Sequence, residues 1–324
     1  MIHQKLWAGL LGLALTAVMG QAAEPTIDYS LELKLTYTGV LYQSTDGVNW
    51  TKVEGAVSPY YVPVEDAKKM LFCSKDEEEQ PGDSLIPGEN GTIPLSGTVS
   101  LDINWISVSR ATFLMGSPKT EDGRFEDELQ HPVKLTKGFW LGKYEVTQEQ
   151  WTSVMGSNNS RFKGENRPVD SVSWGDCQAF IRKVNGSLGG TARLPTEAEW
   201  EYACRAGSSA AVSGSGHLDE MAWYDKNSES QTHEVGKGKQ PNEWGFYDMH
   251  GNVLEWCSDW FGKAEEQEAV DPKGPTTGSF RVLRGGCWFY FARDCRSAYR
   301  LKRAPDIRNC VNGFRLACSP SADD

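Results

Sequence analysis

The sequence has no excess of basic residues, and this absence limits its partners. It carries 33 Lys and Arg against 44 Asp and Glu, which gives a formal net charge of -11 at pH 7. Nucleic-acid binders need clustered Lys and Arg, because the release of counterions from phosphates supplies much of their affinity. The arginines near the C-terminus lie among aromatic and small residues, a spacing that favours buried or paired guanidinium groups. We therefore expect no nucleic-acid partner.

The signatures of several enzyme classes are missing as well. His131, His217, His233 and His250 show no spacing typical of zinc ligands, either with one another or with cysteines. The sequence contains no glycine-rich phosphate loop, no nucleophile elbow and no Ser/His/Asp arrangement. These absences argue against a zinc site and against the reactions that such motifs support.

Long apolar runs are missing beyond the first two dozen residues. Met1–Lys5 supplies a short positive start, Leu6–Met19 is apolar, and Gly20–Ala22 is a small-x-small cleavage site, with Ala23 an equally good end. The apolar run is too short to span a membrane. We expect residues 1–23 to be a cleavable signal peptide, the protein to be periplasmic or secreted, and no transmembrane segment.

Export changes the interpretation of the cysteines, because disulfides persist in oxidising compartments. The cysteines lie at positions 73, 177, 204, 257, 287, 295, 310 and 318, all after the signal peptide. Counting alone leaves their pairing open.

Residues 24–100 have the pattern of a small β module followed by an acidic linker. Leucines at 31, 33 and 35 and Tyr37 alternate with polar residues, which is typical of a strand buried on one face. Ser44–Gly47 is a turn signal, and Tyr60–Val64 is further strand material. Ser74–Gly97 carries four consecutive acidic residues among Gly, Pro and Asn, which we interpret as a solvated linker rather than a cation site.

Residues 101–319 predict a second domain with few helices among many short strands. Helix starts are indicated at Thr147, Ser173 and Thr196, each followed three residues later by Gln150, Asp176 and Glu199. Trp174, Cys177, Ile181 and Val184 share one helical face, so Cys177 is predicted to be a core residue or a disulfide half. We expect an irregular, loop-rich α+β domain.

Six ordered motifs in this domain carry a family resemblance. They are Phe113–Ser117, Gly138–Thr147, Arg167–Trp174, Arg193–Tyr202, Gly245–Trp256, and Arg284–Gly286 together with Gly313–Arg315. Together they resemble the formylglycine-generating enzyme (sulfatase-modifying factor) domain family. The resemblance implies a C-type-lectin-like fold for residues 101–319 and says nothing about residues 24–100.

The family's enzymes are copper-dependent oxidases that convert a sulfatase cysteine to formylglycine at a pair of cysteine thiolates. Soft thiolates suit Cu(I). The positions that match the pair are Tyr290 and Cys295, so the first ligand is missing. If the chain is an oxidase, the resemblance implies a displaced pair of Cys287 and Cys295, with copper as the cofactor.

The resemblance also implies two structural features. One is a disulfide between Cys204 and Cys295, as an alternative to a catalytic Cys295. The other is a structural calcium ion held by the side chains of Asp248 and Glu255 and the backbone carbonyls of Gly251 and Val253, which are the hard oxygen donors that Ca²⁺ prefers. A turn in which Glu255 pairs with an arginine is the alternative.

The C-terminal segment 287–312 suggests a binding function instead of catalysis. It resembles the segment that varies in the variable proteins of diversity-generating retroelements, whose mutable codons yield a restricted set of amino acids. The residues that belong to that set, and that we predict to contact a ligand, are Cys287, Phe289, Tyr290, Phe291, Asp294, Tyr299, Leu301, Ile307, Cys310 and Val311.

Three functional hypotheses remain open at this point. The chain is a non-catalytic protein that binds an unknown protein or surface ligand through this segment, a formylglycine-generating oxidase, or a silent interaction module of a surface complex. The residues just named also fit the core of a family member with a fixed sequence.

Overall fold

The computed structural model describes five N-terminal strands between residues 32 and 75, and residues 85, 87–96, 98–108, 112–188, 192–263 and 266–320. The chain divides into two compact units, Met1–Gln80 and Pro81–Asp324. This division lies before the boundary at residue 100 that the composition suggested. The reason is that a strand at 91–96, in the expected linker, pairs with the next strand and buries Ile93 completely.

The first unit contains short antiparallel strands. They are β1 (Glu32–Leu35), β2 (Val40–Ser44), β3 (Thr51–Lys52), β4 (Tyr60–Pro63) and β5 (Leu71–Lys75). Strand β1 pairs with β4, and β2 lies between β3 and β5. These strands confirm the strand predictions at 31–37 and 60–64. The signal peptide, most of the predicted turn at 44–47 and the acidic run at 76–79 lie outside the described residues.

The second unit mixes short strands with few helices, which confirms the coarse α+β prediction. Its strands are β6 (Gly91–Ser96), β7 (Val99–Ile106), β8 (Thr112–Met115), β9 (His131–Lys134), β10 (Phe139–Gly142), β11 (Ala192–Arg193), β12 (Ala222–Trp223), β13 (His250–Gly251), β14 (Leu254–Trp260), β15 (Ala269–Val270), β16 (Arg281–Arg284), β17 (Leu301–Arg303), β18 (Asn312–Gly313) and β19 (Ala317–Cys318). Its helices are α1 (Gln148–Met155), α2 (Trp174–Leu188), α3 (Glu197–Arg205), α4 (Leu218–Met221) and a 3₁₀ turn at Ala292–Cys295.

Two sheets position the C-terminal part of the chain. A five-stranded sheet has the order β11-β19-β10-β7-β6, and a four-stranded sheet has the order β17-β16-β14-β18. Smaller sheets are β15-β9-β8 and β12-β13. Because β16, β17 and β18 come from residues 281–313, the segment between them is anchored to the second sheet at several points.

The helices begin where the sequence predicts. Thr147 and Thr196 are N-caps with complete capping boxes. In each box the threonine side chain accepts a hydrogen bond from the backbone N–H of the third helical residue, and the side chain of that residue accepts one from the threonine backbone N–H. Asp176 makes the matching contacts with Ser173. Cys177 is fully buried on the apolar face of α2, which confirms its predicted place in the core. None of the helices in the described ranges is long and apolar enough to cross a membrane.

A glycine pair closes strand β16 and starts the C-terminal segment. Gly285 and Gly286 have positive φ angles of 93° and 77°, a region that L-residues rarely adopt. A Cβ atom on Gly286 would lie 2.5 Å from the Cys295 Sγ atom. The turn therefore requires glycine both for its backbone and for the close approach of Cys295.

Candidate ligand-binding site

The C-terminal segment is held by buried arginines, which we call the arginine frame. Each arginine pairs with a buried carboxylate: Arg284 with Glu201, Arg296 with Glu128, Arg300 with Glu197, and Arg315 with Glu255. The Arg296 Nη atoms lie 2.7 and 2.8 Å from the two Glu128 oxygens, a bidentate contact. Arg284 also donates to the backbone carbonyl of Ser297 at 2.9 Å. These pairs confirm the expectation that the C-terminal arginines are buried and paired.

Some of the predicted contact residues are exposed. Phe289 is 65% exposed and Phe291 is 61% exposed, whereas Trp288 between the core and Phe289 is only 6% exposed. Ile307 is also exposed, and Tyr290, Leu301 and Cys310 are half-buried. We call Phe289 and Phe291 the aromatic tip, because a large exposed apolar side chain is available for contact with another molecule.

The remaining predicted contact residues are buried, so the structure does not place them on the surface. Cys287 and Val311 lie in the main hydrophobic cluster, and Asp294 and Tyr299 are less than a tenth exposed. The restricted amino-acid set identified positions in one segment and did not distinguish those that face inward. The aromatic tip is therefore accessible from solvent, whereas these four side chains are not.

Tyr290 lies between the two residues of the aromatic tip in the chain and is half-buried. Its hydroxyl accepts a hydrogen bond from Arg303 Nη2 at 3.0 Å, and its backbone carbonyl accepts from the Asp225 N–H at 3.1 Å. Burial raises the pKa of Tyr290, so the phenol stays neutral. These contacts fix Tyr290 in position and leave its neighbours exposed.

The sequence did not single out Phe125, which packs against Tyr299, or Arg293, which lies over the Phe125 ring. The Phe125 and Tyr299 ring centroids are 5.6 Å apart, and the Arg293 guanidinium lies 5.6 Å from the Phe125 ring. Phe125 is partly exposed. No signal in the sequence connects it to a segment some 170 residues further along the chain.

The cysteine pair proposed for an oxidase is buried. Cys287 and Cys295 are both fully buried, and burial raises the pKa of Cys287 to about 12 and the pKa of Cys295 well above its usual range. The proximity of Cys287 raises the pKa of Cys295 further. Both groups are therefore neutral thiols, whereas copper binding needs thiolates.

Cys204 and Cys295 are free thiols in this structure, which shows no disulfide between them. The Cys204 Sγ atom lies 3.7 Å from His250 Nε2, and His250 Nδ1 lies 2.7 Å from the Cys295 carbonyl oxygen. The imidazole therefore lies between the Cys204 thiol and the Cys295 backbone. Burial lowers the pKa of His250 to about 4, so the ring is neutral, and Nδ1 donates to the carbonyl while Nε2 accepts from the Ser213 N–H.

The residues expected to hold calcium surround a buried arginine. Arg315 Nε and Nη2 each lie 2.7 Å from a Glu255 oxygen, which confirms the alternative that Glu255 pairs with an arginine. Asp248 Oδ2 accepts from the Gly236 N–H, and its buried Oδ1 has no hydrogen-bond partner among the described residues. Burial raises the pKa of Asp248 to about 6, and burial with two nearby carboxylates raises the pKa of Glu145.

Only some of the oxygen atoms expected to bind calcium are therefore available to a metal ion. Glu145, Asp248 and Glu255 share one guanidinium, which leaves excess negative charge, and Asp248 Oδ1 is open. Glu255, however, is engaged by Arg315. No group of three or more His, Cys, Asp or Glu side chains in the described part of the chain is arranged to hold a metal ion. Calcium stays a prediction.

The fold and the frame define a class: an α+β domain, rich in loops, whose C-terminal segment is held by buried arginine pairs. The family model for the sulfatase-modifying factor enzyme 1-like domain matches residues 101–320. The chain belongs to this family.

Relatives and solved structures extend this assignment. The chain is 36% identical over 227 residues to the chaperone protein LppX of Paenibacillus barcinonensis, covering 53% of this chain and 76% of that protein. It is 37% identical over 202 residues to the formylglycine-generating enzyme of Streptomyces coelicolor, covering 53% of this chain and 61% of that enzyme. Treponema denticola variable protein 1 matches with a TM-score of 0.66 and 33% identity, covering 72% of this chain and 100% of that one. The chain thus spans less than two thirds of the Streptomyces enzyme.

Proposed function

We propose that this chain is an exported, non-catalytic protein that binds a protein or surface ligand through residues 287–312. The observation that carries the proposal is the aromatic tip: two large phenyl rings are mostly exposed at the start of a segment that buried ion pairs hold in place. Aromatic side chains give a large contact area at a small cost in conformational entropy. A rigid support for them lowers that cost further.

The similarity to Treponema denticola variable protein 1 supports this proposal, since that match covers the whole of the other chain. We propose the same C-type-lectin-like variant of the fold for residues 101–319, and programmed variation of the exposed positions in 287–312. A silent interaction module would use the same surface without programmed variation.

The DNA that encodes the segment tests the variable-protein hypothesis. We expect a near-copy of codons 287–312 close to the gene, with adenines at the positions that differ, and a reverse transcriptase gene beside it. If the genome contains neither feature, the hypothesis of programmed variation is wrong and the silent interaction module is the remaining binding hypothesis.

The oxidase is kept as a second candidate because Cys287 lies close enough to Cys295 to raise the pKa of the Cys295 thiol. The similarity to formylglycine-generating enzymes also favours it. Against it stand the neutral, buried thiols and Tyr290 in the place of the first copper ligand. We expect the purified protein to bind no Cu(I) and to leave a Cys-x-Pro-x-Arg peptide unchanged. Stoichiometric Cu(I) binding with oxidation of that peptide would establish the oxidase instead.

A structural calcium ion is part of the same proposal. The open Asp248 Oδ1 and the excess of buried carboxylates support it. Calcium would stabilise the loop at 248–255 and would take no part in ligand contact.

A further inference from the structure

A cavity of about 100 Å³ lies away from the aromatic tip, between the start of α3, the end of β14 and the turn at 272–275. It has room for several non-hydrogen atoms, because about 10–15 Å³ of such volume holds one water molecule. Apolar and acidic side chains share its walls. Those that the argument uses are Met115, His131, Glu197, Asp259, Trp260 and Pro275.

One buried carboxylate in this cavity accepts hydrogen bonds through only one of its two oxygens. Asp259 is 4% exposed, and its Oδ2 accepts hydrogen bonds from the Glu197 N–H and the Ser258 hydroxyl, both at 2.9 Å. Its Oδ1 accepts no hydrogen bond from the described residues. A Cβ atom on Gly274, which also lines the cavity, would lie 3.4 Å from Oδ1. The absence of a side chain at Gly274 keeps this oxygen open to the cavity.

A second acceptor comes from His131, which is 8% exposed and lines the same cavity. Its Nδ1 lies 2.9 Å from the Leu129 carbonyl oxygen, so Nδ1 must donate the hydrogen. In the neutral ring the other nitrogen, Nε2, is then an acceptor, and none of the described residues donates to it. The cavity thus presents two unused acceptors of buried side chains.

Asp259 is also the one buried lining carboxylate that has no ion-pair partner among the described residues. Glu197 is paired with Arg300, and the other buried lining glutamates, Glu128 and Glu201, are paired with arginines of their own. No cation lies within ion-pair distance of Asp259 among the described residues, and Lys263 is exposed at the rim. Burial, with Glu197 nearby, raises the pKa of Asp259 to about 7. A bound cation would reverse this effect.

We propose that this cavity binds a primary alkylammonium group. The ammonium donates to Asp259 Oδ1 and to His131 Nε2, and the alkyl chain packs on Trp260, Pro275 and Met115. An ammonium carries donors in several directions and no acceptor, which matches a cavity whose free groups are acceptors. A metal ion fits less well, because the described residues hold no group of three or more side chains that would coordinate one.

The same chemistry is supplied by a free amine or by a lysine side chain of a polypeptide. Two probes separate these sources: n-butylammonium, and Nα-acetyl-lysine N-methylamide, which carries the same charged tip on a peptide backbone. Binding of both indicates that the cavity mouth admits a lysine side chain. Binding of n-butylammonium alone indicates a free amine. Either result supports the proposal.

Calorimetric titration of the full-length protein tests the charge requirement without any variant. We expect n-butylammonium to bind, and n-butanol and butyrate, which have the same chain without the positive charge, to bind at least about tenfold more weakly. We also expect the Trp260 indole resonance to shift on titration with n-butylammonium. No detectable binding of n-butylammonium, or equal binding of n-butanol, would overturn the proposal.

The variant Asp259→Asn locates the site. It keeps an acceptor for the Glu197 N–H and removes the negative charge, so we expect n-butylammonium affinity to fall at least about tenfold, as for the loss of one partner of a buried charge pair. Asp102→Asn removes the same charge at an exposed position outside the cavity and should leave the affinity unchanged. Equal losses in the two variants would show a nonspecific charge effect and would also overturn the assignment.

Discussion

The arginine frame and the aromatic tip belong to the same short stretch of chain but have opposite environments. In the frame, guanidinium groups such as Arg284 and Arg315 are fully buried against carboxylates. At the tip, Phe289 and Phe291 extend into solvent, although the adjacent Trp288 is in the core. The difference teaches that the residues that hold the segment in place are separate from those that are exposed to solvent and that we propose to contact a ligand. We therefore expect substitutions at the tip to be tolerated far better than substitutions in the frame.

The largest effect is expected from breaking the frame. Arg296→Ala leaves Glu128 charged and buried without its bidentate partner, so we expect the free energy of unfolding to fall by about 3–5 kcal/mol. Arg308→Ala is the matched control, because its ion pair with Asp176 is exposed and is worth about 0–1 kcal/mol. Urea unfolding of both variants measures the difference. Similar losses would show that burial does not distinguish the frame from the surface.

The next largest effect is the pH dependence of stability that Asp259 causes. This carboxylate accepts a hydrogen bond from the backbone of Glu197, the partner of Arg300 in the frame. Asp259 has a folded-state pKa raised to about 7 from an ordinary 3.8, so the folded protein keeps the proton after the unfolded chain has lost it. Its contribution to stability is therefore present below about pH 4 and is lost as the pH rises to about 7. The loss is up to roughly 4 kcal/mol, at about 1.4 kcal/mol per pKa unit.

Comparison of the wild type with Asp259→Asn isolates this contribution from those of the other carboxylates. We expect the urea-unfolding free energy of the wild type to fall relative to the variant between about pH 4 and 7, and the difference to stay constant above that range. Parallel pH profiles for the two proteins would show that Asp259 titrates normally.

The third prediction asks whether a calcium ion binds beside the ion pair of Arg315 and Glu255. After chelation, addition of calcium at about a hundredfold above its dissociation constant should stabilise the protein by about 2.7 kcal/mol, which is a melting-temperature increase of several degrees. Asp248→Asn should abolish the increase, because it removes the charge of the carboxylate at this site whose Oδ1 accepts no hydrogen bond from the described residues. An unchanged melting temperature in the wild type would mean that Arg315 alone satisfies Glu255.

The sequence was sufficient for the features that depend on local chemistry. The helix starts at Thr147 and Thr196 were predictable because a capping box is contained in four residues. The family motifs also placed the glycine pair at 285–286. These features depend on residues that are near each other in the chain.

The features that the sequence did not provide depend on distant contacts. Nothing local distinguishes the buried Cys287 from the exposed Phe289, because the direction of each side chain is set by packing against α2 and β14 and not by amino-acid type. The His250 ring beside Cys204 and the cavity at Asp259 arise in the same way, from residues far apart in sequence. The disulfide between Cys204 and Cys295 was implied by the family resemblance, which carries no information about the His250 ring that lies between the Cys204 thiol and the Cys295 backbone.

The smallest effect is expected at the tip itself. Phe289→Ala and Phe291→Ala remove rings that are mostly exposed, so each should change the free energy of unfolding by less than about 0.5 kcal/mol. Trp288→Ala, one residue away, is the control: it removes a buried indole and should cost about 3–5 kcal/mol. Thermal and urea unfolding measure all three variants. A loss above about 1 kcal/mol at either phenylalanine would place that ring in the core of the folded protein, and the separation of stability from ligand contact would then be wrong at that position.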